Sequence, residues 1–120
     1  MTLAANILIF IIALLHFYIL VLEMFLWETP RGMRVFRHTP ETAKITKKLA
    51  ANQGLYNGFL AAGLLWSLVL GEAGFQVKVF FLVCVIAAGV YGALTAIKKI
   101  FYIQALPAIV TLALVLASNF

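Results

Sequence analysis

LAANILIFIIALLHFYILVLEMFLW, residues 3–27, decides the class of this protein. The run is apolar except for Asn6, His16 and Glu23. About 20 apolar residues in a helix, rising 1.5 Å each, cross a hydrocarbon layer about 30 Å thick. The stretch has no basic leader and no small-residue cleavage site, and it exceeds the apolar core of a signal peptide. It is therefore expected to be retained as a transmembrane helix.

Three more apolar runs follow. Residues 55–70 are entered through Asn52, Gln53 and Gly54, giving a span over 52–70. Gly71-Glu72-Ala73-Gly74 makes a turn before a third span over 77–97. Lys98 and Lys99 separate that from a fourth over 101–118, which carries Pro107. The expected fold is all-α, a four-helix transmembrane bundle forming a single membrane domain over 1–120. The whole chain agrees: 65% of its 120 residues are hydrophobic, 11% are charged, aspartate is missing and mean hydropathy is +1.09. Soluble domains hold about 25% charged residues, so disorder, a nucleic-acid module and an ordinary soluble enzyme are excluded. One cysteine excludes a disulfide framework and a thiolate metal cluster.

Charge gives an orientation. The segment 28–48 carries Arg31, Arg34, Arg37, Lys44, Lys47 and Lys48, and Lys98 and Lys99 lie between spans three and four. Only Lys78 falls on the other side. By the positive-inside rule the basic loop 28–48 is expected to be cytoplasmic and both termini extracytoplasmic, in a multi-pass protein of the cytoplasmic membrane. Arg31, Arg34 and Arg37 alternate with Met33, Val35 and Phe36, a pattern suited to a segment lying on anionic inner-leaflet lipid. Thr39-Pro40-Glu41 is a helix start: hydroxyl cap, proline in the first turn, acid at the positive dipole end. A helix from Pro40 to Leu70 is about 45 Å long, so its first turns, with Lys44, Lys47 and Lys48, should extend the second helix into the cytoplasm.

Polar groups inside the spans carry the functional information, because each is costly there. His16, Glu23 and Trp27 share one face of the first helix; Gln53, Tyr56 and Asn57 share one of the second; Cys84, Tyr91, Thr95 and Lys98 of the third; Gln104, Pro107 and Thr111 of the fourth. With the expected orientation, Glu23, Gln53, Tyr56, Asn57, Tyr91 and Gln104 gather in the inner leaflet as a polar pocket. Glu23 is the sharpest of these: a carboxylate suited to carry a proton or counter a cationic ligand, or a structural acceptor for Asn57, Gln53 or a tyrosine. His16 lies about 10 Å deeper on the same face. It is suited to a proton relay with Glu23 or to a hydrogen bond to a neighbouring helix. His38 is expected in solvent and Cys84 in packing. Gly54-Gly58-Ala62 and Ala88-Gly92-Ala96 form small-residue ridges for close helix contact. Pro107 frees the carbonyl of Ile103, a place for a kink. No catalytic set, phosphate loop or metal-spaced cluster is present, so catalysis is not asserted and no cofactor is assigned.

The motifs His16…Glu23-Met24-Phe25-Leu26-Trp27, Thr29-Pro30-Arg31-Gly32 and Ala51-Asn52-Gln53-Gly54-Leu55-Tyr56-Asn57-Gly58 resemble a family of small bacterial membrane proteins of unknown function, domain-of-unknown-function family 1304, along the whole chain. The resemblance implies a four-helix membrane protein and supplies no activity. It groups Glu23, Trp27, Asn52, Gln53, Tyr56 and Asn57 as one site. Small multidrug transporters are similar in length and in a first-helix glutamate, but their short first loop and weak charge bias differ from this chain. The membrane-associated eicosanoid and glutathione metabolism proteins are similar in architecture. Their basic, asparagine-rich second-helix motif is only faintly matched by Lys48, Asn52 and Asn57.

The residues thus predict a membrane protein that binds a small amphipathic molecule or lipid through Glu23, Trp27, Asn52, Gln53, Tyr56, Asn57, Tyr91 and His16, for transport or sensing. The alternatives are a membrane enzyme holding an anionic cosubstrate on Arg31, Arg34 and Lys48, and an accessory subunit. The expected partners are anionic inner-leaflet lipids, an amphipathic ligand and further copies of the chain, and not nucleic acid.

Overall fold

Thr2–Met24 forms α1 in the structure, a computed structural model that describes residues 2–119. No glycine or proline interrupts this segment, which accounts for its length. It stops where the amides of Phe25 and Leu26 both turn back to the Val21 carbonyl. A short helix, α2 (Pro30–Phe36), follows. The Thr29 hydroxyl caps it by accepting from the Gly32 amide at 3.3 Å, with Pro30 in its first turn. Arg37, at φ 54°, ends it in the left-handed region.

α3 spans Pro40–Val69, 30 residues, about 45 Å. Its start is as the sequence predicts: the Thr39 hydroxyl accepts from the Thr42 amide at 3.2 Å, and the Thr39 carbonyl from the Ala43 amide at 2.8 Å. Gly71, at φ +61°, ends it in a conformation that only glycine adopts without strain. A 3₁₀ turn, Gly71–Gly74, leads into α4, Phe75–Thr95, two residues earlier at both ends than the predicted span. The last segment opens with a π-helical turn, Phe101–Ala105, closed by the Leu106 amide on the Phe101 carbonyl, and continues as α5, Leu106–Ser118. Pro107 explains the wide turn. Without an N–H it cannot donate to Ile103, and the extra residue in the turn relieves the ring.

Among the described residues, three helical segments are long and apolar enough to cross a membrane: Thr2–Met24, Gly71–Thr95 and Phe101–Ser118. α3, which carries the predicted span 52–70, is not among them. Asn52, Gln53, Asn57 and several glycines dilute its apolar half.

The fold divides into two units, with the boundaries falling inside α1 and α3. One holds residues 1–14 and 60–120, the other residues 15–59. The first has a close-packed core: Ala5, Ile9, Ile12 and Ala13 of α1, Leu64 of α3, Leu82 and Val85 of α4, Ala108 and Val115 of α5. α4 lies directly against α5 and the π turn. Contact is closest at Gly89, where a Cβ would stand 2.7 Å from the Ala105 amide nitrogen. The residue that permits this approach is Gly89. Of the expected ridge, Ala88 and Ala96 are exposed and Gly92 faces only the Ile100 side chain.

In the second unit α1 meets α3 at Gly54, where a Cβ would lie 2.8 Å from Met24 Cγ and 3.0 Å from Glu23 Cβ. Gly58, one turn on, is filled by the Leu20 side chain. This half of the Gly54-Gly58-Ala62 ridge packs as expected; Ala62 is exposed.

Candidate functional site

Glu23 is 5% exposed, and its Oε1 accepts a 2.6 Å hydrogen bond from Asn57 Nδ2. That donor also reaches the Gln53 carbonyl at 3.3 Å. Gly54 makes the pair possible. With no side chain between the helices, Asn57, one turn further along α3, comes within reach of the carboxylate. A short bond from a neutral amide to a carboxylate is stronger than a neutral pair and fixes the rotamers of both groups. Glu23 and Asn57 are the predicted residues that meet through their side chains across the two helices.

The remaining predicted residues are distributed differently. Asn52, Gln53 and Tyr56 are exposed on α3. Asn52 Nδ2 and the Tyr56 hydroxyl lie 3.5 Å apart, and Gln53 contributes its backbone carbonyl to the Glu23 pair. His16 is fully buried, two turns before Glu23 on α1. Trp27 lies past the end of α1 and is committed elsewhere. Its Nε1 donates to Thr46 Oγ1 at 3.1 Å, and its ring packs on Phe36 and His38 with centroids 4.9 and 4.2 Å apart. Tyr91 belongs to the other unit, on α4, where it is 69% exposed. Thr95 on that stripe satisfies its hydroxyl on its own helix, at the Tyr91 carbonyl. The α4 polar stripe is therefore an exposed face and not an interior one.

Several features escaped sequence reasoning. His38, expected in solvent, is half-buried, stacked on Trp27, with Nε2 3.2 Å from the Trp27 carbonyl. Arg31 Nε donates to the Tyr18 hydroxyl at 2.9 Å, and its guanidinium carbon stands 5.7 Å from the Tyr18 ring centroid. With Arg34 and Val35 these residues line a groove of about 380 Å³. Lys47 pairs with Glu28 at 3.1 Å, both exposed, an interaction of little energetic weight. In the other unit Lys78 is 8% exposed and donates to Asn6 Oδ1 at 3.1 Å. One signal was present: an isolated lysine in an apolar run is expensive without a partner.

The described residues contain no group of three or more His, Cys, Asp or Glu side chains placed to hold a metal ion. Chemically, the second unit offers a carboxylate held by one amide, exposed amide and phenol groups on the following helix face, and an arginine fixed by a tyrosine.

The chain belongs to the family described as protein of unknown function DUF1304, whose profile matches residues 10–116. It is similar to the uncharacterized protein YpaA of Lactococcus lactis subsp. lactis (strain IL1403), with 34% identity over 106 residues, 87% of this chain and 89% of that protein. No solved structure matches it.

Proposed function

We propose that this chain is a four-span membrane protein that binds a small amphipathic molecule or lipid, with Glu23 and Asn57 as its polar anchor. The observation that carries this reading is the buried Glu23 carboxylate, held by Asn57 at 2.6 Å within helices otherwise rich in apolar residues. A carboxylate inside a membrane segment is costly, and such groups mark ligand and ion pathways. In this reading α3 is the second span, and its first turns, with Lys44, Lys47 and Lys48, extend into the cytoplasm. Asn52, Gln53 and Tyr56, exposed on α3, supply further polar contacts to the ligand headgroup. The Arg31–Tyr18 groove faces anionic lipid at the same level. Where the bound molecule is carried across the membrane, protonation of Glu23 is the coupling step.

Native mass spectrometry of the protein in mild detergent tests the reading, with wild type beside Glu23→Gln. A retained amphiphile that disappears in the variant is the expected result and identifies its chemistry. An empty wild type in the same assembly as the variant makes Glu23 a structural acceptor and removes the site.

A further inference from the structure

A second buried charge lies in the other unit. Lys78 is 8% exposed, and its described hydrogen bond goes to a neutral group, Asn6 Oδ1. Among the described residues the ion pair within 4 Å is Lys47–Glu28, and none of their carboxylates pairs with Lys78 within that distance. Both residues open onto a cavity of about 480 Å³, whose lining includes Glu72 and Ser118. That volume is within the range of small-molecule sites. Asn6 Oδ1 accepts from Lys78, and the side chain, on the cavity lining, has an amide N–H₂ as a further donor. α1 and α4 both begin here, at Thr2 and Phe75, and their positive dipole ends favour an anion beside the ammonium. Glu72, exposed on the lining of the same cavity, supplies the opposite charge.

We infer that this cavity binds a phosphate ester that also carries an amine, presented as the headgroup of a zwitterionic phospholipid. Its phosphate is held by Lys78 and Asn6 and its ammonium by Glu72. The phosphate is recognised by one charge-assisted donor and one amide, and the amine distinguishes this headgroup from an uncharged glycerol headgroup. The cavity lies where α1 and α4 start and α5 ends, which for membrane-spanning helices is the level of headgroups. The inference shares with the Glu23 proposal only the premise that the helices cross a membrane; no Glu23 contact enters it.

The test is native mass spectrometry of the purified full chain, titrated with phosphatidylethanolamine or phosphatidylglycerol. Wild type should retain phosphatidylethanolamine preferentially, and Lys78→Gln should lower its retention about tenfold, the effect of losing one charge-assisted contact. Lys78→Arg should retain it. Glu72→Gln alters an exposed side chain and leaves the core intact; it should bring the two lipids to equal retention. Glu23→Gln should have no effect here, so this site and the Glu23 proposal fail separately. Free phosphoethanolamine competing as strongly as the lipid supports the headgroup chemistry and assigns it to a soluble source. Equal retention by wild type, Lys78→Gln and Glu72→Gln, or a wild-type preference for phosphatidylglycerol, overturns the inference.

Discussion

Glu23 and Lys78 are both buried ionisable residues, each held by one asparagine, yet their surroundings differ. Glu23 is walled in: Gly54 sits against its Cβ, and Asn57 reaches it at 2.6 Å. Lys78 is bound to Asn6 at the longer distance of 3.1 Å and opens onto a cavity of about 480 Å³. The first pair is closely packed around Glu23, and Asn57 has a second partner in the Gln53 carbonyl at 3.3 Å. The second can exchange its partner for water or a ligand. Two buried charges, each held by an asparagine, can thus differ in what surrounds the pair: a closely packed helix contact at Glu23, a cavity at Lys78.

Removing each asparagine is the strongest way to break this comparison. Asn57→Ala leaves the Glu23 carboxylate buried without a donor and should destabilise the protein by about 2–3 kcal/mol. The measurement is loss of helicity during unfolding in detergent. A cost below that of Asn6→Ala would show the carboxylate to be as well hydrated as the lysine. Gly54→Val inserts a branched side chain between Glu23 and Met24 and should cost about 2 kcal/mol by overpacking. The same assay reports it, and a neutral result would mean that the helices separate easily at this point. Asn6→Ala should cost only about 1 kcal/mol, because water in the cavity replaces the lost acceptor. Smallest is Glu23→Gln, below about 1 kcal/mol, since a rotated amide still offers Asn57 an oxygen. A larger loss would assign Glu23 an essential structural charge.

How much of this was legible in the sequence depended on range. Local signals were sufficient at Thr39-Pro40, where cap and proline fix the start of α3 within one turn. The same two residues at Thr29-Pro30 also cap a helix, α2, but its seven residues carry too little periodicity to stand out from a basic loop. Glu23 and Asn57 could be matched because each is a polar residue in an apolar run, opposite the small-residue ridge that Gly54 begins. Trp27, grouped with that site in the sequence, contacts Thr46 and His38 in the structure. The end of α1 at Met24 releases it from the helical face, and a turn built by tertiary contacts with Thr46 and His38 has no short-range signature. Lys78 and Asn6 are 72 residues apart, and nothing in either neighbourhood names the other. Tyr91 followed the correct helical period but on the exposed face, because period alone does not say which stripe is packed.

The central claim is that α3 crosses the membrane although its polar residues dilute its apolar half, so that Glu23 and Asn57 meet between two membrane helices. Cysteine accessibility in intact cells tests it most directly, in a Cys84→Ala background carrying Thr2→Cys, Lys44→Cys or Asn119→Cys. With four spans, an impermeant maleimide should label positions 2 and 119 from outside, and position 44 only after lysis. Labelling of one terminus but not the other would mean that three helices cross and α3 does not, and the Glu23 site would lose its place in the membrane.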